Sequence, residues 1–204
     1  MIRNIVFDLG RVLIDFDPVA YLRGFGYPEE TVQTLYPIVF GRDWYLYDRG
    51  DYLRIGDLAK ATAERYPSYA EQIYEVMRPD WVNIHSLKAD TADYLSELKH
   101  RGCRVYLLSN LSVDSYEFIR RYDFFHTVDG GVFSYQERSC KPEEKIYRVL
   151  LERYSLAPEE TVFLDDSPDN IAGAERLGIR GVLFTDLASA QRQTEALLAE
   201  GASA

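Results

Sequence analysis

The sequence is short of several things, and each shortage excludes something. Its two cysteines, Cys103 and Cys140, cannot build a disulfide framework. Two isolated thiols suit a reducing, cytoplasmic setting. Basic residues are in deficit: 23 Lys and Arg face 33 Asp and Glu, for a formal net charge of −10. Neutralising a nucleic-acid backbone takes clustered Lys and Arg, so DNA and RNA are not expected partners. The same charge disfavours an anionic membrane surface. No apolar run approaches the roughly 18 residues of a membrane span. The first residues, MIRNIVFDLG, reach Asp8 before a signal-peptide core can form. The histidines, His85, His100 and His126, are scattered without zinc-ligand spacing. Gly-x-Ser-x-Gly and Walker A sequences are missing, which disfavours a serine hydrolase and a P-loop NTPase. Internal repeats and low-complexity tracts are absent too.

What is present is globular. Hydrophobic residues make up 47% of the 204 and charged residues 27%, enough for one domain or a core with a small second domain. Short apolar runs alternate with helical patterns. Ile2 to Phe7 stops at Asp8, and Arg104 to Leu108 stops at Ser109–Asn110. Thr161 to Leu164 stops at Asp165–Asp166, and Gly181 to Phe184 stops at Thr185–Asp186. Runs of this length bounded by polar residues predict buried parallel strands. Between them, Leu87, Tyr94, Leu95 and Leu98 recur at helical spacing and end at Gly102. Ile146, Val149, Leu150 and Tyr154 mark a second helix. Ser167–Pro168 reads as the N-cap and first residue of a third, closed by Gly178. The order β-α-β-α-β predicts a doubly wound α/β sheet with ligands at the carboxyl ends of its strands.

Residues 15–86 break that alternation. They are punctuated by Pro18, Pro28, Pro37, Pro67 and Pro79, with helix-like apolar spacing between them. A loop of that length is implausible. A small helical insert over the end of the first strand is expected, leaving 1–14 and 87–204 as the core domain. Most of the insert's aromatics (Trp44, Tyr45, Tyr47, Trp81) are expected in its own core, because small domains need large buried side chains.

Polar residues converge at the strand ends. A carboxylate such as Asp8 at a buried strand end costs desolvation unless it is paired or coordinated, though it could also cap the following turn. Asp165 and Asp166 would repel each other and Asp8, by about 4 kcal/mol per pair at about 4 Å and an effective dielectric near 20. Three such carboxylates around one pocket suit a hard divalent cation, and oxygen-only ligation suits Mg²⁺. The hydroxyl of Ser109 and the backbone N–H of Asn110 suit a phosphate oxygen, or else a helix cap beginning near Ser112. Lys141, ahead of a helix, is either solvated or a fixed positive charge at the site. Cys140 beside it is expected to be inert.

These residues, in this order, resemble the haloacid dehalogenase-like hydrolase superfamily. IVFDLGRVL resembles its first motif, LLSN its second, KPEEKIY its third and FLDDSPDNIAGAERLGI its fourth. The insert resembles the helical C1 cap. The combination is most similar to the glucose-1-phosphate phosphatase group and the N-terminal phosphatase domain of epoxide hydrolases, and YDRGD in the cap also resembles the former. The resemblance implies a Rossmann-like core and a phosphatase acting on a small-molecule phosphate ester. Asp8 would be the nucleophile that forms an aspartyl-phosphate. Mg²⁺ would be held by Asp8, the Gly10 backbone carbonyl and Asp166, with Asp165 direct or through water. Ser109, Asn110 and Lys141 would bind the transferring group.

One departure matters. Most phosphatases of the superfamily carry a second Asp two residues after the nucleophile, as general acid and base. Here that position is Gly10. General acid catalysis is worth about 10²–10⁴-fold, so esters with good leaving groups, such as a sugar 1-phosphate, are the expected substrates. A weakly catalytic phospholigand-binding protein and a metal-free 2-haloacid dehalogenase are the competing readings. Arg11 is a second departure, placed either at the pocket mouth or in solvent. Trp44, Tyr47, Asp48 and Arg49 are the cap residues expected to reach the pocket.

Overall fold

The structure is a computed structural model, and it describes residues 1–200. A first strand, β1 (Asn4–Phe7), is followed by a short strand β2 (Ile14–Asp15) and five helices: α1 (Pro18–Arg23), α2 (Glu29–Val39), α3 (Arg42–Asp48), α4 (Ile55–Arg65) and α5 (Ala70–Val76). Strand β3 (Ser86–Leu87) leads into α6 (Ala89–His100), β4 (Arg104–Ser109) and α7 (Val113–Ile119). Then come β5 (Gly130–Phe133), α8 (Ser134–Glu137), α9 (Glu144–Arg153), β6 (Thr161–Asp165), α10 (Pro168–Glu175), β7 (Arg180–Leu183) and α11 (Leu187–Glu200). No helix among the described residues is long and apolar enough to cross a membrane.

Five strands form one sheet in the order β5-β4-β1-β6-β7, every pair parallel. Side chains alternate across it, as the period of two requires. Ile5, Phe7, Val105, Leu107, Val162 and Leu164 join one buried cluster with Leu95 and Leu98 of α6 and Ile119 of α7. Val6, Tyr106, Leu108 and Phe163 join another with Ile146 and Leu150 of α9 and Ala174 of α10. The sheet is thus covered on both faces, which is why its strands read as continuous apolar runs.

Two features of the strand pairing had no sequence signal. The edge strand β5 begins Gly130–Gly131, with no side chains to form a pattern. A Cβ at Gly130 would lie 2.5 Å from the Tyr154 ring, and one at Gly131 would lie 2.8 Å from Phe133. Glycine is there for close packing. The second is the antiparallel pair β2–β3, Ile14 opposite Leu87 and Asp15 opposite Ser86. It ties together the two chain segments that lead into and out of the helical insert.

The insert has its own apolar cluster, whose members all fall between Phe16 and Ile84. Trp81, Tyr47, Leu35, Leu58 and Ile73 are buried at its centre. Trp44 packs edge-on against Trp81 at 4.8 Å and against Tyr47 at 5.4 Å. The apolar spacing of α2 and α4 buries Val32, Leu35 and Val39 from one helix and Leu58, Ala59 and Thr62 from the other.

Candidate active site

The sheet's register places the acids side by side. Phe7 of β1 is level with Leu164 of β6, so Asp8 and Asp165 follow at neighbouring strand ends. The Asp8 N–H donates to the Leu164 carbonyl at 2.9 Å. Both carboxylates are buried, Asp165 completely. Asp166 adds a third, and one oxygen from each of the three lies within 4.8 Å of the others. This convergence follows from parallel pairing, which puts all carboxyl ends on one edge.

Lys141 reaches into this group from the loop before α9. Its side chain is buried, with Nζ 2.6 Å from Asp165 Oδ2 and 2.7 Å from Asp8 Oδ1. A solvated lysine is therefore ruled out. The Asn110 side chain holds the Lys141 backbone twice: Oδ1 accepts from the Lys141 N–H at 2.7 Å, and Nδ2 donates to its carbonyl at 3.0 Å. Asn110 thus ties the Lys141 loop to the end of β4, beside the buried Ser109. Ser112 caps α7, its Oγ accepting from Ser115 N–H at 3.3 Å.

Asp165 and Asp8 differ in how their oxygens are engaged. Asp165 Oδ1 accepts from the Ser167 N–H at 2.8 Å and from Asn170 Nδ2 at 3.0 Å, while Oδ2 accepts from Lys141 and from Asn170 at 3.1 Å. Its capacity is used within the protein. Asp8 Oδ1 is buried, and Lys141 lies beside it without the alignment of a hydrogen bond. Asp8 thus keeps accepting capacity that no hydrogen bond within the protein uses. Asn170 is a residue to which the sequence assigned no role. It stands at the start of α10, inside the fourth quoted motif, and its signal was the spacing of five from Asp165.

The electrostatics follow from this crowding. Burial, with the Asp165 charge adding to it, pushes Asp8 up to about 7 against the opposing pull of Lys141 and Ser109. Burial and Asp165 also raise Asp166. For Lys141 burial works downward, but Asp165 and Asp8 outweigh it and the ammonium is held above its ordinary range. Three carboxylates against one ammonium leave the site short of positive charge. An all-oxygen donor set with spare capacity on buried Asp8 fits a hard cation such as Mg²⁺.

The space beside these groups is a cavity of about 70 Å³ between core and insert. From the core come Leu9, Gly10, Ile14, Ser109, Asn110 and Leu111; from the insert come Phe16, Trp44, Asp48, Trp81 and His85. Four cap residues were expected at this pocket, and they divide evenly. Trp44 and Asp48 line it. Tyr47 is buried in the insert with its hydroxyl donating to Asp114, and Arg49 pairs with Asp51 at 2.6 Å. Burial, then the Asp8 charge, pushes Asp48 up to about 7. Arg11 stands at the rim, Nη1 3.5 Å from Asp166 Oδ2. Cys140 is fully buried and its thiol is pushed up to about 12 by burial, as suits an inert residue.

A family model described as haloacid dehalogenase-like hydrolase matches residues 2–178. The chain is 24% identical over 188 residues to a sesquiterpene phosphatase, astK, of Aspergillus oryzae, covering 89% of each. It is 23% identical over 183 residues to a phosphorylated carbohydrates phosphatase of Thermotoga maritima, covering 87% of this chain and 82% of the relative. Among solved structures, a HAD family enzyme of Bacteroides thetaiotaomicron in complex with magnesium and inorganic phosphate superposes with a TM-score of 0.69 at 21% identity. That match covers 90% of this chain and 94% of the other.

Proposed function

This chain belongs to the haloacid dehalogenase-like hydrolase family, and from that premise we propose that it is a Mg²⁺-dependent phosphatase of small phosphate esters. The observation that carries this reading is the pairing at 2.7 Å of buried Asp8 with Lys141, beside two further carboxylates. Asp8 is the nucleophile. Its oxygen attacks phosphorus, the bond to the leaving oxygen breaks, and water later hydrolyses the aspartyl-phosphate to inorganic phosphate. Lys141 and the Asp165 that holds it fix a positive charge where the transferring group sits. Ser109 and the Asn110 N–H bind its oxygens. Asp8, Asp166 and the Gly10 carbonyl would hold Mg²⁺, with Asp165, its oxygens engaged within the protein, adding its charge beside them. Bound there, the ion would neutralise carboxylates and phosphoryl oxygens. Residues 15–86 act as the cap that closes the cavity.

The substrate reading follows from Gly10 and the cavity walls. A turn without an acid at position 10 suits an ester that leaves as a weak base. A sugar 1-phosphate meets that condition, but the walls formed by Ile14, Phe16, Trp44, Trp81 and Leu111 offer no partners to the sugar hydroxyls that would face them. Among activated esters these walls favour an apolar leaving group, aryl or allylic. The similarity to a sesquiterpene phosphatase supports the same preference. The test is turnover of p-nitrophenyl, dimethylallyl and glucose 1-phosphates with Mg²⁺ and with a chelator. Asp8→Asn is expected to lower kcat by about 10⁴-fold or more. Chelator-resistant turnover of a 2-haloacid would mark a dehalogenase instead. No Asp8-dependent turnover of any ester would leave a binding protein.

A further inference from the structure

We propose that Asp48, delivered by the cap, is the group that exchanges a proton with the leaving oxygen in place of the acid missing at Gly10. This rests on the phosphatase reading above. Three observations carry it. First, Asp48 lines the same cavity as Gly10, Ser109 and Asn110. It is the acidic side chain that the insert contributes to that cavity. Second, it is half-buried and forms no ion pair among the described residues, whereas its neighbour Asp51 is paired with Arg49. A carboxyl withdrawn from water with no cation against it retains its proton more readily than an exposed one.

Third, the chain around Asp48 is pinned to the core on both sides. Ser134 Oγ donates to the Asp48 carbonyl at 2.5 Å and accepts from the Leu111 N–H at 2.8 Å, joining the end of α3 to the loop after β4. Before it, the Tyr45 hydroxyl donates to Glu143 Oε1 at 2.5 Å, and Tyr47 donates to Asp114. After it, Gly50 passes so close that a Cβ would lie 2.7 Å from the Tyr135 carbonyl oxygen. Further on, Asp114 accepts from Arg54 at 2.6 Å and from the Ile55 N–H at 2.9 Å. Anchors this dense hold one cap residue in register with the core, as a proton donor requires.

The step balances without another reactant than water. As Asp8 forms its bond to phosphorus, the electron pair of the breaking P–O bond goes to the leaving oxygen, which takes the Asp48 proton. The Asp48 carboxylate then takes a proton from the water that attacks the aspartyl-phosphate, and the acid is restored.

The test is a series of substituted phenyl phosphates, from 2,4-dinitrophenyl to 4-methylphenyl, with wild type and Asp48→Asn. The substitution keeps the side chain's shape. It is expected to cost about 10²-fold or more in kcat for 4-methylphenyl phosphate and less than about 3-fold for 2,4-dinitrophenyl, which leaves without a proton. Gly10→Asp in the Asp48→Asn background is expected to restore the poor substrate, since a Cβ at Gly10 meets nothing within 4 Å. An equal loss across the series, or no loss, overturns the role of Asp48 and leaves the phosphatase reading standing. Absence of Asp8-dependent turnover in wild type overturns both.

Discussion

The two sides of the cavity are built by different physics. On the core side, each polar group is held at the end of a strand by hydrogen bonds of fixed geometry. Asp165 alone accepts four, and Asn110 locks the Lys141 backbone at two points. On the cap side, shape comes from aromatic packing. Phe16, Trp44, Trp81 and His85 lie within 4.8–6.3 Å of one another in successive contacts. Strand register transmits position accurately, so the core can carry chemistry. Rings fill volume and exclude water, so the cap can select what enters. Asp48 is the exception, a polar group on the cap side, and it is where anchors cross between the two.

The largest effect on stability should come from breaking the fixed side at Lys141. Lys141→Met removes the charge and retains most of the volume. Asp8 and Asp165 would then face each other buried without a cation, at a cost of about 3–5 kcal/mol in stability. Turnover should fall by about 10³-fold or more. Urea unfolding with and without Mg²⁺ checks the cause: if the carboxylates are the problem, Mg²⁺ recovers part of the lost stability. Equal loss in both conditions would mean that lost packing, not lost charge, dominates.

The apolar side breaks at a different point, through His85. Its ring is buried, stacked on Phe16 at 5.6 Å, and Nδ1 lies 2.8 Å from the Val82 carbonyl, so that nitrogen carries the proton of a neutral imidazole. Burial pushes the group down to about 4 against the Val82 contact, from an ordinary 6.5. The unfolded chain therefore binds a proton between pH 6.5 and 4 that the folded chain refuses. Stability should fall as pH drops through that window, by up to about 3 kcal/mol from this group. His85→Gln cannot take up the proton. The difference in unfolding free energy between wild type and variant, followed from pH 7 to 4, should shrink or reverse in the variant's favour. A constant difference would mean that His85 titrates like an exposed histidine.

Legibility in the sequence follows the same division. Four of the sheet's strands were visible because burial on both faces writes an unbroken apolar run, and polar residues at their ends mark the edge where ligands gather. Asp8, Ser109, Asn110, Asp165 and Asp166 were readable as residues that parallel pairing would bring together, and Lys141 was readable only through the resemblance of its motif. The groups that hold the site and its insert in place were less so. Asn170 is five residues from the Asp165 it holds, a spacing within local reach, but Ser134 bonds Leu111 and Asp114 bonds Tyr47 across 23 and 67 residues of chain, and no local pattern encodes such partners. Strand β5 was hidden for the same reason, because its two glycines answer to the Tyr154 and Phe133 rings and not to any periodicity. In the cap, aromatic content announced a small core, but which rings face inward and which face the cavity depends on how five helices cross.

The smallest effect should be at the rim, where neither kind of order applies. Arg11 meets Asp166 at 3.5 Å with its side chain 58% exposed and that of Asp166 26% exposed. Water screens a pair of this kind, and its contribution to stability should stay below about 1 kcal/mol. Arg11→Ala should accordingly leave the unfolding midpoint nearly unchanged. Its consequence should appear in Mg²⁺ dependence instead. Asp166 is raised by burial and by Asp165, and Arg11 opposes that shift while also placing a positive charge where a cation would approach. Removing the guanidinium should tighten the apparent Mg²⁺ affinity by a few-fold, read from turnover against Mg²⁺ concentration at two ionic strengths. The gain should shrink at the higher ionic strength, because the repulsion it relieves acts through solvent. A loss of Mg²⁺ affinity would show that Arg11 orients Asp166 as a ligand, extending the fixed geometry of the core out to the rim.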